Sequence, residues 1–344
     1  MNKVSSLALA MMVCLSQGIA CFAQSDGNNN AEVAPPLRLV QAIPLPNVAG
    51  RIDHFTVDTK RKWVIGSALG NNTVEIVDAF AGRVVKTITD LDEPQGVLFV
   101  GDPVNKLFVA NAGNGKLRVY ETKSFTLVDT LDFGENTDNL RYAPSEKRVY
   151  VGYGEDESSA IGVVDALTNK RLDDAGKLDS HPESFQLELS GSRIFVNIAS
   201  KQKIAVIDRK NHQVTDWQIG NLKANFPMAL DEADHRLFIG TRKPSRLGVI
   251  DTTTGKVVAS LPAVGDMDDL YYDDSRKRIY IPGGEGFISV YEQSDPEHYK
   301  VIGKITCAIG ARTGVWYAKR DRLYVAVPGR ANQGAEIWVY EAQD

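Results

Sequence analysis

The chain has 344 residues, 43% of them hydrophobic and 24% charged, with a formal net charge of −5. That composition excludes general disorder and a multi-span membrane protein, and its acidic balance argues against the broad basic surface that nonspecific nucleic-acid binding needs. Twenty-nine glycines and 12 tyrosines against three cysteines point to a turn-rich β protein without a disulfide framework. The length allows two domains or one large all-β unit.

Residues 1–23 read as a secretory signal peptide. Lys3 is the basic start, Val4 to Leu15 form a short apolar run, and Cys21-Phe22-Ala23 is a small-x-small exit before Gln24. Ser5, Ser6, Ser16 and Gln17 break the run before the roughly 20 apolar residues that spanning requires. No transmembrane segment is therefore expected after cleavage, and the destination is the periplasm or the outside of the cell. Lipidation at Cys21 is the alternative, with Gly18 standing where a branched apolar residue is usual. Cleavage after Ala23 removes Cys14 and Cys21 and leaves Cys307 as the one remaining thiol. Residues 24–36 are polar, end in Pro35-Pro36 and show no periodicity, as a disordered linker would.

From residue 37 onward one pattern recurs. WVIGS at 63, LFVAN at 107, VYVGY at 149, IFVNI at 194, LFIGT at 237, IYIPG at 279 and LYVAV at 323 each carry an apolar strand core. Marked on Val64, Phe108, Tyr150, Phe195, Phe238, Tyr280 and Tyr324, the repeats are spaced by 42 to 45 residues. This is the period of a four-stranded propeller blade. A run such as HFTVD (54–58) or NLRYA (139–143) precedes each mark, and TVEIVD (73–78), LRVYE (117–121) or LGVID (247–251) follows it. A looser fourth strand closes the period, as in VVKTI (84–88). Alternating apolar and polar residues rich in β-branched and aromatic types give half-buried strands. The seventh repeat stops at Asp344 without a fourth strand, while LRLVQAI (37–43) is spare ahead of the first. Pairing the spare strand with residues 336–340 would close the ring and remove an exposed edge. The expected architecture is thus all-β: a single seven-bladed β-propeller domain over 37–344, closed by its N-terminal strand.

These residues also carry a family resemblance. FVAN at 108–111 and the stretch GKVVASLPAVGDMDDLYYDDSRKRIYI at 255–281 are similar to YVTN-type repeats. The chain from 37 to 344 resembles the exported bacterial propellers called YncE-like, and its strand ends are Ile-Val-Asp or Val-Tyr-Glu in place of the Trp-Asp of WD repeats. The resemblance implies export, seven blades and the binding of a ligand or partner.

Loops entering the innermost strands share one face of a propeller, and here that face is the chemically rich one. The positions just before those strands align as Asp53-His54, Gln95-Gly96, Asp138-Asn139, Glu183-Ser184, Phe226-Pro227, Asp268-Asp269 and Thr313-Gly314. Four of seven blades place a carboxylate at one equivalent position, and like charges crowded at a narrow mouth need Arg or a metal to neutralise them. Arg51, His181, Asn225, Asp266 and Arg312 lie close by in sequence, and His54 and His181 are expected to face each other across the channel. Outer loops of this face add Asn71, Asn72, Tyr153, Glu155, Arg242, Glu285 and Arg330. The expected binding residues are Arg51, Asp53, His54, Asp138, Asn139, His181, Glu183, Asn225, Asp268 and Arg312. Catalytic candidates are His54, His181 and Glu183, and metal candidates are His54, Asp138, His181 and Glu183. The structural alternative is that each Asp only caps a turn by accepting from nearby N–H groups. On the opposite face His212 and His235 read as structural or solvent-exposed, and Cys307 as a buried, inert thiol.

No Gly-x-Ser-x-Gly elbow, Gly-x-x-x-x-Gly-Lys loop or paired-Cys motif occurs in the chain. The leading functional expectation is binding of a polar small molecule, sugar or peptide or protein partner at the axial mouth by a monomer. The alternative is an enzyme on the same face: a metal-assisted hydrolase of lactonase or esterase type, or a lyase. There a divalent cofactor would sit on the carboxylates and a His would act as base. DNA contact would need a local basic patch from Arg51, Lys223, Arg242, Arg312 and Arg330.

Overall fold

The computed structural model describes residues 34–330 and 333–344. The expected signal segment and most of the linker lie outside the described residues; the linker's end, Pro36, is buried and accepts a backbone hydrogen bond of 3.0 Å from Gln343. Among the described residues no helix is long and apolar enough to cross a membrane.

The compact unit Pro35–Asp344 consists of seven four-stranded antiparallel sheets. Six are built from consecutive strands, beginning with Phe55–Asp58, Trp63–Ala68, Thr73–Asp78 and Arg83–Ile88. The seventh takes three strands from the C-terminus, Gly314–Tyr317, Arg322–Val327 and Ala335–Ala342, and its outer strand, Leu37–Leu45, from the other end of the chain. Ile43 faces Ile337 and Ala42 faces Trp338 across that ladder. The spare strand therefore closes the ring.

Seven buried clusters hold the blades together, each spanning one interface. The cluster at the closure joins Ile43, Tyr324, Ile337 and Val339 of blade seven to Val64 and Val77 of blade one. The aromatic marks Phe108, Tyr150, Phe195, Phe238, Tyr280 and Tyr324 are all fully buried, so they are blade-packing residues. In blade one, register corrects the sequence reading. The residue that opens each second strand pairs with the acid that ends the third: Trp63 with Asp78, Lys106 with Glu121, and Arg148 with Asp165. On that register Ile65, not Val64, is the equivalent of Phe108. Blade one fills the aromatic position with an aliphatic side chain, which is why an alignment on sequence alone slips there.

The recurring acid also ends the strand. Asp78, Asp165 and Asp251 each accept two backbone N–H bonds from the turn that follows, fixing the hairpin into the fourth strand. Inner and outer ladders thus repeat with little variation, and the variable chemistry collects where the inner strands begin.

The closure carries a direct test. Ile43 is fully buried in the terminal strand, so Ile43→Ala should destabilise the whole domain by about 2–5 kcal/mol in denaturant melts. The exposed Val40→Ala of the same strand should cost less than about 1 kcal/mol. Equal, small effects would show that the terminal strand does not hold the ring shut.

Candidate functional site

Backbone pairing fixes which residues are equivalent around the axis. His54, Asn139 and Ser184 accept backbone bonds from Ser67, Gly152 and Asn197, and Thr313 accepts the same bond from Ala326. Thr313 therefore stands where His54 stands, and the seventh position of the ring is Arg312-Thr313, not Thr313-Gly314. The ring reads Asp53, Gln95, Asp138, Glu183, Phe226, Asp268 and Arg312, so a cation stands among its four carboxylates.

Residues one place earlier stitch neighbouring blades. Thr137 Oγ1 donates to the Asn111 carbonyl at 3.0 Å, and Asn225 Nδ2 donates to Asn197 Oδ1 at 2.7 Å and to the Lys203 carbonyl at 3.0 Å. Asn225 is fully buried in this brace and does not line the axial cavity. The other expected binding residues come together at the mouth, and most of them line a cavity of about 240 Å³ there. Gln95, Asn136, Ser184, Phe226 and Arg242 complete its wall. Gly96 makes the narrow axis possible: a Cβ there would stand 2.0 Å from the Asp138 carbonyl oxygen.

Three arginines converge on one side of the cavity. Arg51 bonds both oxygens of Asp53 at 3.1 and 3.2 Å and reaches Asp268 at 3.2 Å. Arg242 bonds Asp268 at 2.7 Å, with its guanidinium 3.8 Å from the centre of the Phe226 ring. Arg312 bonds Asp266 at 2.8 Å and lies 3.2 Å from Asp268. These cations turn inward onto carboxylates.

His54, from blade one, and His181, from blade four, flank one carboxylate of blade three. His54 Nε2 is 3.7 Å from Asp138 Oδ1, and His181 Nε2 is 3.8 Å from Asp138 Oδ2. His54 immediately precedes its inner strand, whereas His181 lies in the loop before Phe185–Leu187. His54 Nδ1 meets Asp269 Oδ1 at 3.1 Å, and Asp269 is itself held by the Gly314 N–H at 2.9 Å. Burial opposes charge on His54, but Asp269, then Asp53 and Asp138, outweigh it and push its pKa up to about 10. His181 is raised to about 9: burial again opposes, while the nearby charge of Asp138 prevails. Burial, reinforced by Asp138, lifts the Glu183 carboxyl to about 7. Asp138 stays below the ordinary carboxylate range because His181 and His54 overcome the cost of its burial.

Below this layer the channel widens into a second cavity of about 270 Å³, bounded by His54, Asn139, Ser184 and Asp269 and lined by Arg141, Tyr271, Leu98 and Met228. Arg141 donates to Ser184 Oγ at 3.1 Å and to the Leu140 carbonyl at 2.9 Å. Sequence reasoning missed Asn136, Arg141 and Tyr271. Asp269 was in view as the neighbour of Asp268, and its place at His54's own position in the repeat was the signal to include it. Of the outer-loop residues, Arg242 reaches the mouth. Tyr153 bonds Asp174 at 2.9 Å, and Glu155 bonds Asn136 at the rim. A larger concavity, about 760 Å³, lies away from this mouth between blades three and four around Arg171, Arg209 and His212. His212 there bonds the Ala175 carbonyl at 3.0 Å, and Cys307 is buried.

No known protein-family profile matches the chain. The uncharacterized protein YncE of Salmonella typhi is 25% identical over 195 residues, 55% of this chain and 53% of that protein. The seven-bladed beta-propeller protein Rv1057 of Mycobacterium tuberculosis is 20% identical over 133 residues, 38% of this chain and 34% of that protein. The chain is a seven-bladed β-propeller similar to YncE. The matched stretch spans about half the length of YncE and a third of Rv1057. Among solved structures, the RRP9 WD40 repeats superpose with a TM-score of 0.74 at 9% identity, covering 90% of this chain and 99% of that one. Kuenenia stuttgartiensis hydrazine synthase superposes at 0.70 with 16% identity, covering 83% and 94%. At these identities the likeness is one of fold alone.

Asp53 gives a pH-dependent test of the mouth. Burial raises its carboxyl to about 6; His54 and Arg51 pull it down, while Asp268 and Asp138 push with the burial. An acid whose folded pKa is raised holds its proton longer in the folded state, so stability falls as pH rises from about 4 to about 6. Asp53→Asn should flatten this slope and raise the melting temperature at pH 7 relative to the parent. A parent melting temperature that climbs through the same window faster than that of the variant would contradict the assignment.

Proposed function

We propose that this YncE-like propeller binds a small polar molecule at the axial mouth of the carboxylate-bearing face. The observation that carries the reading is the cavity itself. Its wall combines Arg51, Arg242 and Arg312 as donors with Asp138, Glu183 and Asp268 as acceptors, and Phe226 is its one ring of Phe, Tyr or Trp type. Donors and acceptors converging on 240 Å³ fit a sugar, an amino acid or the end of a peptide. The volume falls below the roughly 300–1,000 Å³ of pockets for larger organic ligands. Export to the periplasm or medium through residues 1–23 belongs to the same reading, supported by the basic, apolar and small-residue order of that segment.

A thermal-shift panel of monosaccharides, amino acids and short peptides tests it. A true ligand at about 100 times its Kd should stabilise the fold by about 2.7 kcal/mol. Arg242→Ala should abolish the shift, since it removes a donor from the wall and unstacks Phe226. A panel without any shift, or a shift indifferent to Arg242→Ala and Arg312→Ala together, would overturn the assignment.

A second reading, metal-assisted hydrolysis or elimination at the same mouth, is favoured by the convergence of Asp138, His181 and Glu183. It is separated from simple binding by turnover. Chromogenic esters and lactones, assayed with and without added zinc, should be consumed by the parent and not by Glu183→Gln. Zinc-independent or absent turnover would leave the mouth a binding site.

A further inference from the structure

The charges at the mouth do not divide evenly. Arg51 is taken by Asp53 and Asp268, Arg242 by Asp268, Arg312 by Asp266, and His54 by Asp269. Among the described residues, Asp138 and Glu183 have no cation in direct hydrogen-bonded contact. Asp138 is 4% exposed; its Oδ1 is buried without a hydrogen-bond partner, 3.7 Å from His54 Nε2, and its Oδ2 accepts from Asn139 Nδ2 at 3.1 Å. An unpaired buried carboxylate oxygen beside a second carboxylate is costly unless something positive lies between them.

The third group of the cluster is already oriented. His181 Nδ1 lies 2.7 Å from the Gly154 carbonyl. A carbonyl only accepts, so Nδ1 carries a proton and Nε2 is the atom that faces Asp138 and Glu183. A carbonyl or carboxylate behind one ring nitrogen is how proteins hold a histidine whose other nitrogen binds a metal. Gly154 is committed to this role by its backbone, with φ +93° and a would-be Cβ 2.7 Å from the Ser158 carbonyl oxygen. One ligand atom from each of Asp138, His181 and Glu183 lies within 4.8 Å of the others. The 3.8 Å from His181 Nε2 to Asp138 is too long for a hydrogen bond. It suits two ligands each about 2.0–2.2 Å from a shared ion.

We propose that Asp138, His181 and Glu183 form a divalent-metal site of the zinc class, open on its remaining side to the axial cavity. His54, the fourth metal candidate from sequence, stays outside the set: among the described residues the ligand atoms that lie within 4.8 Å of one another come from Asp138, His181 and Glu183. Three protein ligands of nitrogen and oxygen type, with one position free, are the arrangement of zinc sites that present water or a substrate to the ion. Bound there, the ion would replace any proton on His181 Nε2 and meet the Asp138 Oδ2 that faces it. The inference goes beyond the binding reading and does not depend on which polar molecule enters the mouth.

Isothermal titration of the chelator-dialysed protein with zinc chloride, together with metal analysis after gel filtration, tests it. The expected result is one zinc per chain, with Glu183→Gln weakening binding at least about tenfold. Glu183 is only partly buried and donates and accepts no side-chain bond in the fold, so this variant should fold even where Asp138→Asn does not. Val40→Ala, exposed in the terminal strand and away from the mouth, should still bind. Stoichiometry near zero, affinity unchanged in Glu183→Gln, or retention of calcium in preference to zinc would each overturn the proposal. A sugar or peptide shift that survives chelation alongside a failed zinc titration would leave the binding reading intact.

Discussion

The ring depends on one long-range pairing, that of Leu37–Leu45 with Ala335–Ala342. Every other strand pairs with a neighbour a few residues away, so each blade's hydrogen bonds are local. The closure alone spans nearly the whole chain, at an entropic cost that grows only logarithmically with the loop. It buries Ile43 and Ile337 against Val64 and Val77, and so turns six local interfaces into seven. Without it there is no axis. Every group at the mouth takes its position from the angle at which its blade meets that axis.

A closed ring of seven inner strands forces their first residues together, and that crowding dictates the electrostatics. Four carboxylates at equivalent positions could not all ionise in so small a space if left to themselves. The protein answers in different ways around the ring. Asp53 and Asp268 share Arg51, and Asp268 also takes Arg242. One step deeper, Asp269 charges His54. Asp138 is flanked by two imidazoles without a close contact to either, and Glu183 keeps a raised pKa. The mouth therefore has a side where arginines meet carboxylates directly and a side where Asp138 is faced by imidazoles at longer range. That asymmetry is what a mixed polar ligand or a divalent ion would recognise.

The repeat was legible because its causes are local. Strand alternation, the acid that ends each third strand and caps the next turn, and the buried aromatic at the blade interface recur every 42 to 45 residues. Where a local cause was missing, the reading slipped. Ile65 in place of an aromatic displaced the alignment of blade one by a residue, whereas blade seven keeps its aromatic, Tyr324, and its ring position, Arg312, is fixed only by the backbone bond to Thr313. Asn225 illustrates a different limit. It stands one place before the ring position, where side chains turn back to brace the preceding blade, and only the bond to Lys203 reveals that direction.

Glycine content, few cysteines, acidic balance and repeat spacing by themselves determined a single all-β ring of seven blades, and the spare strand at 37–43 determined how it closes. Both follow from interactions between residues near in sequence, plus one unpaired edge that had a single available partner. Which charges meet was decided only by the tertiary structure. Asp138 lies between two histidines from different blades, 84 residues before it and 43 after it in the chain. Asp268 gathers arginines from three blades. Side chains from separate blades become neighbours only when the ring is shut, and their pairing depends on distances of an ångström or two that no spacing in the sequence encodes.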